Sequence, residues 1–136
     1  MSFLKWSDKL SAGVQFIDHE HHKLVDMVND LHDGVMSGRS KEVVGKVLDE
    51  LVDYTVTHFA HEEKYFGTKG YHEAAAHKHQ HDELIRQVAE IQAQYKSGAL
   101  GTLSMDLMKF LQKWLVVHIQ GYDKRFGKHL SENGVR

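Results

Sequence analysis

Apolar residues recur along this chain at three- and four-residue intervals, the spacing of one face of a helix that turns about 100° per residue. Ile17, Leu24, Val28, Leu31 and Val35 form a first stripe, and Val44, Leu48, Leu51 and Thr55 a second. Leu84, Val88, Ile91 and Tyr95 form a third, and Leu107, Leu111 and Trp114 a fourth. Glycine and serine clusters separate them at Ser37-Gly38-Arg39-Ser40, Gly67-Thr68-Lys69-Gly70 and Ser97-Gly98-Ala99-Leu100-Gly101. Each cluster puts glycine where a helix would stop, and Ser40 and Thr102 stand where N-caps belong. The pattern predicts helices over residues 18–36, 41–66, 71–96 and 103–129. Long helices joined by short connections are antiparallel neighbours, so the expected fold is all-α, an up-down-up-down four-helix bundle. Residues 1–17 read as an N-terminal arm that Trp6, Val14, Phe16 and Ile17 fold back onto the bundle, and 130–136 as a tail. The chain, residues 1–136, reads as a single domain.

Polar residues interrupt these stripes in an ordered way. His21 lies on the first stripe, and His58 and Glu62, four residues apart, continue the second. His77 and His81, again four apart, lie on the third, and His118 follows Trp114 on the fourth. An i, i+4 pair projects both side chains from one face, a turn apart. In an up-down bundle all these positions fall at the same end. Core-facing imidazoles and carboxylates need partners, because burying an unpaired polar group costs roughly 2–7 kcal/mol. A metal ion satisfies several at once. Asp123 is five residues after His118, about 140° round an ideal helix. It reaches the site only if the helix widens or bends locally, which Gly121 would ease. We favour Asp123 because a carboxylate can bridge two metals; Tyr122 is the minor alternative.

The other histidines, His19, His22, His32, His61, His72, His79 and His129, read as solvated. Glu63 reads as surface or as a residue orienting a ligand histidine. Composition narrows the chemistry. With no cysteine, disulfides and thiolate ligands are excluded, which agrees with a cytoplasmic location. A net charge of −2 without a basic stripe argues against nucleic acid. No apolar run approaches the ~20 residues of a membrane span, and the N-terminus lacks a signal-peptide core, so membrane insertion is not expected. No long apolar stripe is left over for a second interface, so a monomer is expected.

The arrangement resembles the hemerythrin family, in its single-domain bacterial branch. Trp6, Gly13-Val14 and Ile17-Asp18-His19-Glu20-His21-His22-Lys23-Leu24 are similar to the family's D-x-x-H-x-x-L region. His58-Phe59-Ala60-His61-Glu62-Glu63 is similar to HF-x-x-EE, and His77 to His81 to H-x-x-x-H. Trp114-Leu115-Val116-Val117-His118-Ile119, ending at Asp123, is similar to WL-x-x-HI-x-x-x-D. Tyr65-Phe66, where the family often has Leu-Met, and the extra histidines His19, His22, His61 and His79 depart from the pattern.

The resemblance implies two non-haem iron ions (Fe2+/Fe3+). His77, His81 and His118 would hold one, His21 and His58 the other, with Glu62, Asp123 and a solvent-derived oxo or hydroxo group bridging. Two octahedral ions offer about twelve positions. Five histidines, two bridging carboxylates and one bridging hydroxide leave a single position, on the two-histidine iron. One open position suits a diatomic bound end-on. The expected function is reversible O2 binding for transport, storage or delivery, with O2 held as hydroperoxide, rather than an enzymatic one. Leu24, Leu111, Trp114 and Leu115 are the expected pocket walls. The alternatives are O2 or nitric oxide sensing through a separate partner, a di-iron enzyme reducing peroxide or nitric oxide, and a zinc hydrolase. An oxygen-consuming enzyme or a reductase would be the partner.

Overall fold

The computed structural model describes residues 3–67, 70–98 and 103–135. Four long helical segments form the bundle: α1 (Gln15–Met36), α2 (Lys41–Glu63), α3 (Ala74–Lys96) and α4 (Met105–His118). The last continues through a π-helical turn, Ile119–Asp123, into α5 (Lys124–Glu132). Packing joins α1 to α2, α2 to α3 and α1 to α4. Trp114 bridges the α3–α4 seam by donating its indole N–H to the Leu84 carbonyl at 3.3 Å. Among the described residues, no helix is long and apolar enough to cross a membrane.

The predicted boundaries shift at several places, each for a local reason. α1 begins at Gln15, three residues before the expected Asp18. Asp18 reaches back instead, accepting from the Ala12 backbone N–H at 2.7 Å and the Ser11 hydroxyl at 2.6 Å. A carboxylate there also answers the partial positive charge of the helix N-terminus. The arm therefore ends at Val14, while Ile17 is a buried helical residue. α2 stops at Glu63 rather than Phe66, because Tyr65 and Phe66 turn back onto the Glu62 and Glu63 carbonyls in tighter i, i+3 bonds. α3 begins at Ala74, since Tyr71 turns inward ahead of it. Ser104, not Thr102, caps α4 by accepting from the Leu107 N–H; Thr102 lies outside the described residues. Ser40 caps α2 as expected, accepting from the Val43 N–H at 3.2 Å. Gly38 and Gly98, at φ 71° and 83°, follow the ends of α1 and α3 in the left-handed region that glycine enters without strain.

The core has two parts. The larger runs the length of the bundle, through Val28, Leu31, Leu48, Leu51, Val88, Met108 and Leu111. The smaller gathers Ala12, Val14, Ile17, Tyr71, Phe126 and Leu130 at one end, so the expected tail is partly helix with Leu130 fully buried. Gly127 lies against the arm so closely that a Cβ there would sit 2.1 Å from the Ala12 carbonyl oxygen. The arm is also fastened by Asn29, which accepts from Leu4 N–H at 2.7 Å and donates to Leu4 O at 2.8 Å. Trp6 stacks on His22 with ring centroids 3.7 Å apart.

Candidate metal centre

Between the two cores lies a layer of polar side chains. His21, His58, Glu62, His77, His81 and Asp123 are wholly buried and His118 is 3% exposed. They come from the start of α1, the end of α2, the start of α3 and the end of α4, which meet only because the helices alternate in direction. Asp123 arrives through the π-helical turn. That turn spends an extra residue per helical turn, so position i+5 takes the place that i+4 would hold on an α-helix. Tyr122 is turned aside, its ring 5.4 Å from His77 and partly exposed.

The carboxylates divide the layer. Asp123 Oδ1 lies 2.9 Å from His77 Nε2 and 3.1 Å from His118 Nε2, while Oδ2 lies 2.8 Å from His21 Nε2. Glu62 Oε1 lies 3.0 Å from His81 Nε2 and 3.8 Å from His77 Nε2. Its Oε2 lies 3.5 Å from His58 Nε2 and 3.9 Å from His21 Nε2. Each carboxylate thus gives one oxygen to a three-histidine group and the other to a two-histidine group. Within each group the donor atoms lie within 4.8 Å of one another. Bonds of about 2.1 Å around an octahedral ion separate adjacent donors by about 3.0 Å and opposite ones by about 4.2 Å.

Hydrogen bonding accounts for little of this cluster; within it His77 Nε2 and Asp123 Oδ1 pair at 2.9 Å. Among the described residues, the Nε2 atoms of His21, His58, His81 and His118, both Glu62 oxygens and Asp123 Oδ2 are buried without a hydrogen-bond partner. Orphaned donors and acceptors on this scale are rare in proteins. Lone pairs converging on shared points, with two carboxylates between them, fit a pair of metal ions. Electrostatics agree. Burial and the Asp123 carboxylate hold Glu62 well above the usual carboxylate range. Asp123 stays well below its ordinary value: burial opposes its charge, but His118 and His21 outweigh it. Burial, then His118 and His77, push His81 down to about 2, and burial also lowers His58 and His77. Neutral imidazoles and an ionised carboxylate are the forms that bind metal.

Outside the layer, two glutamates face the far nitrogens of two of its histidines. Glu63 Oε2 accepts from His81 Nδ1 at 2.8 Å, the contact that the orienting alternative read from the sequence requires. Glu20 Oε1 accepts from His58 Nδ1 at 2.7 Å, which sequence reasoning missed. A missed aromatic contact is Phe59, lying flat on His81 at 3.9 Å and 3°. Phe66, one of the departures from the family pattern, is placed 4.9 Å from His77 and 5.0 Å from Phe126. Of the histidines expected in solvent, His19, His22, His72 and His79 are exposed, but His32, His61 and His129 are half-buried. His32 stacks on Phe3, His61 meets Glu20 and His129 packs on Tyr71.

A narrow pocket borders the layer, lined by Leu24, Phe59, Leu84, Trp114 and Leu115 together with His21, His58, His118 and Asp123. Leu111, an expected wall, is fully buried in the main core and does not line it.

The hemerythrin HHE cation binding domain family matches residues 12–130. A bacteriohemerythrin of Stenotrophomonas maltophilia is 39% identical over 96% of this chain and 84% of the relative. One from Methylococcus capsulatus is 39% identical over 96% of this chain and 99% of its own. A crystal structure of wild-type hemerythrin superposes with a TM-score of 0.88 at 38% identity, covering 96% of this chain and 99% of that one. With both sequence and fold matched along nearly its whole length, the chain belongs to the hemerythrin family.

Proposed function

We propose that this protein binds O2 reversibly at a di-iron centre, as a carrier rather than an enzyme. The observation that carries this reading is the one-sided pocket. Both histidines of the two-histidine group line it, but only His118 of the other three does. In this reading His77, His81 and His118 would hold one iron and His21 and His58 the other, Glu62 and Asp123 would serve both, and O2 would bind on the two-histidine side. A pair of irons held here would supply two electrons to O2 and recover them on its release.

The chain's own residues set the conditions for that exchange. Glu62 and Asp123 couple the two positions, since each gives an oxygen to both groups. Five neutral imidazoles against two carboxylates favour the lower oxidation states of iron, which keeps the chemistry reversible. Leu24, Leu84, Leu115 and the Trp114 indole exclude water from the open side. We place the protein in the cytoplasm as a monomer, delivering O2 to an oxygen-consuming enzyme and regenerated by a reductase.

The test is to load ferrous iron under strict anaerobiosis, then admit and remove O2 while recording the visible spectrum and iron content. Two irons per chain and a charge-transfer band that appears with O2 and fades under vacuum are expected. Permanent conversion to a ferric form, or continuous consumption of O2, overturns the carrier reading.

A further inference from the structure

The extra histidine at position 61 has no place in the donor cluster, yet it is tied to it through Glu20. His58 Nδ1 donates to Glu20 Oε1 at 2.7 Å and His61 Nδ1 to Oε2 at 2.6 Å. His58 is wholly buried, the Glu20 side chain is 13% exposed and that of His61 is 41% exposed. A single carboxylate of α1 thus bonds two histidines of α2, one turning inward and one outward. Both oxygens can only accept, so both Nδ1 atoms carry hydrogen and His58 presents a bare Nε2 to the layer.

Resting on the di-metal reading above, we propose that Glu20 is the positioning residue of the two-histidine position, and that His61 is the outer pin that holds Glu20 in place. A carboxylate behind a ligand imidazole fixes its tautomer and ring plane and strengthens its donor nitrogen. The three-histidine side has its own device in Glu63, which meets His81 Nδ1 at 2.8 Å. The two devices differ in how they are anchored. Glu63's second oxygen faces the exposed Lys78 ammonium at 3.7 Å, whereas Glu20's second oxygen is bonded to His61 at 2.6 Å. They differ too in the share of ligands they control: one histidine of two against one of three. Among the described residues, the far nitrogen of His21 is buried without a hydrogen-bond partner, so Glu20 is the outer support of that side.

The experiment uses zinc alone, which is redox-silent, titrated against a competing chelator to give two stepwise affinities. It is paired with nitrogen-15 NMR of the metal-free protein to read the His58 tautomer, and circular dichroism confirms the fold of each variant. Glu20→Ala should weaken one zinc equivalent by about 10–100-fold and leave His58 without a single Nδ1–H tautomer. Glu20→Gln, whose amide oxygen still accepts, should keep the tautomer and lose less affinity. His61→Ala should move both readouts the same way by a smaller amount, and Glu63→Ala should weaken the other equivalent. An unchanged His58 tautomer in Glu20→Ala overturns the proposal, as does an equal fall in both equivalents. A wild-type chain that takes up fewer than two zinc ions overturns the di-metal reading instead, while the tautomer still decides the role of Glu20.

Discussion

His77 and His81 are packed against aromatic rings, whereas His21 and His58 both border an apolar pocket that His118 also reaches. Phe59 lies flat on His81, and Phe66 and Tyr122 flank His77 at 4.9 and 5.4 Å. On the other side Leu24, Leu84, Leu115, Phe59 and Trp114 line the pocket together with His21 and His58. Ligand number and surroundings therefore vary together. Two of the three imidazoles in the larger group lie away from the pocket, whereas both imidazoles of the smaller group line it. A bundle can make two positions that share both carboxylates and still surround them differently, with rings against His77 and His81 of one and an apolar pocket beside the other.

The largest effect should come from removing what the two sides share. Glu62→Gln should lower metal content from two ions per chain to one or none, measured by elemental analysis. The same change should stabilise the metal-free protein, on the order of 1 kcal/mol, because a buried carboxylate without a partner is lost. Metal-free Glu62→Gln that melts below wild type would mean Glu62 is satisfied by something other than a metal.

Next in size is the packing of the arm. Gly127→Ala would drive a methyl into the Ala12 backbone, with a cost of about 1–3 kcal/mol or more by thermal or denaturant unfolding. Unaltered stability would show that the arm can lift away from α5 freely.

The contrast between the two sides is sharpened by a pair of substitutions read in one assay. Trp114→Leu should speed autoxidation of the oxygenated protein severalfold, by admitting water to the open side. Phe66→Leu, beside His77 and away from the pocket, should leave that rate close to wild type. Equal acceleration in both variants would erase the distinction.

The smallest effect is a dependence on pH in the metal-free chain. Burial lowers His58, His77 and His81, the last to about 2. Each contributes stability that is present above the unfolded value, about 6.5, and lost progressively as pH falls below it. Glu62 works the other way, since its raised folded value favours the folded state as pH falls toward 4.5. Burial raises Glu63 as well, and three histidines against these two carboxylates leave a net loss on acidification. The melting temperature of the metal-free protein should therefore fall between pH 7 and pH 5; a rise would show that the two carboxylates dominate.

The donor layer was legible in the sequence because it obeys helical phase. His58 with Glu62, and His77 with His81, announce a face at i, i+4, and the alternation of helix direction then puts all of them at one end. Asp123 was legible only through its chemistry, since its spacing from His118 contradicts an α-helix and requires the π turn. Glu20 was not legible. It sits on the charged flank of α1 beside His19 and His22, and its meaning depends on which turn of α2 lies opposite. Phe59 was passed over for a related reason: adjacent to His58, it faces a neighbouring helix rather than its own stripe. The start of α1 was missed because its stabilising contact runs backward, from Asp18 to Ser11 and Ala12. Contacts made within one helix leave a period; contacts between helices leave none.

The π turn also divides the last helical segment into two mechanical parts. Up to His118 the rotation of the helix is dictated by Met108, Leu111 and Trp114 in the long core. Beyond Asp123 it is dictated by Phe126 and Leu130, locked among Val14, Ile17 and Tyr71. The aim of the Asp123 carboxylate is therefore set like a vernier, by the offset between two gears that engage different parts of the molecule. Changes in the arm or in α5, well away from any donor atom, can retune one bridge between the two positions while the five histidines stay where they are.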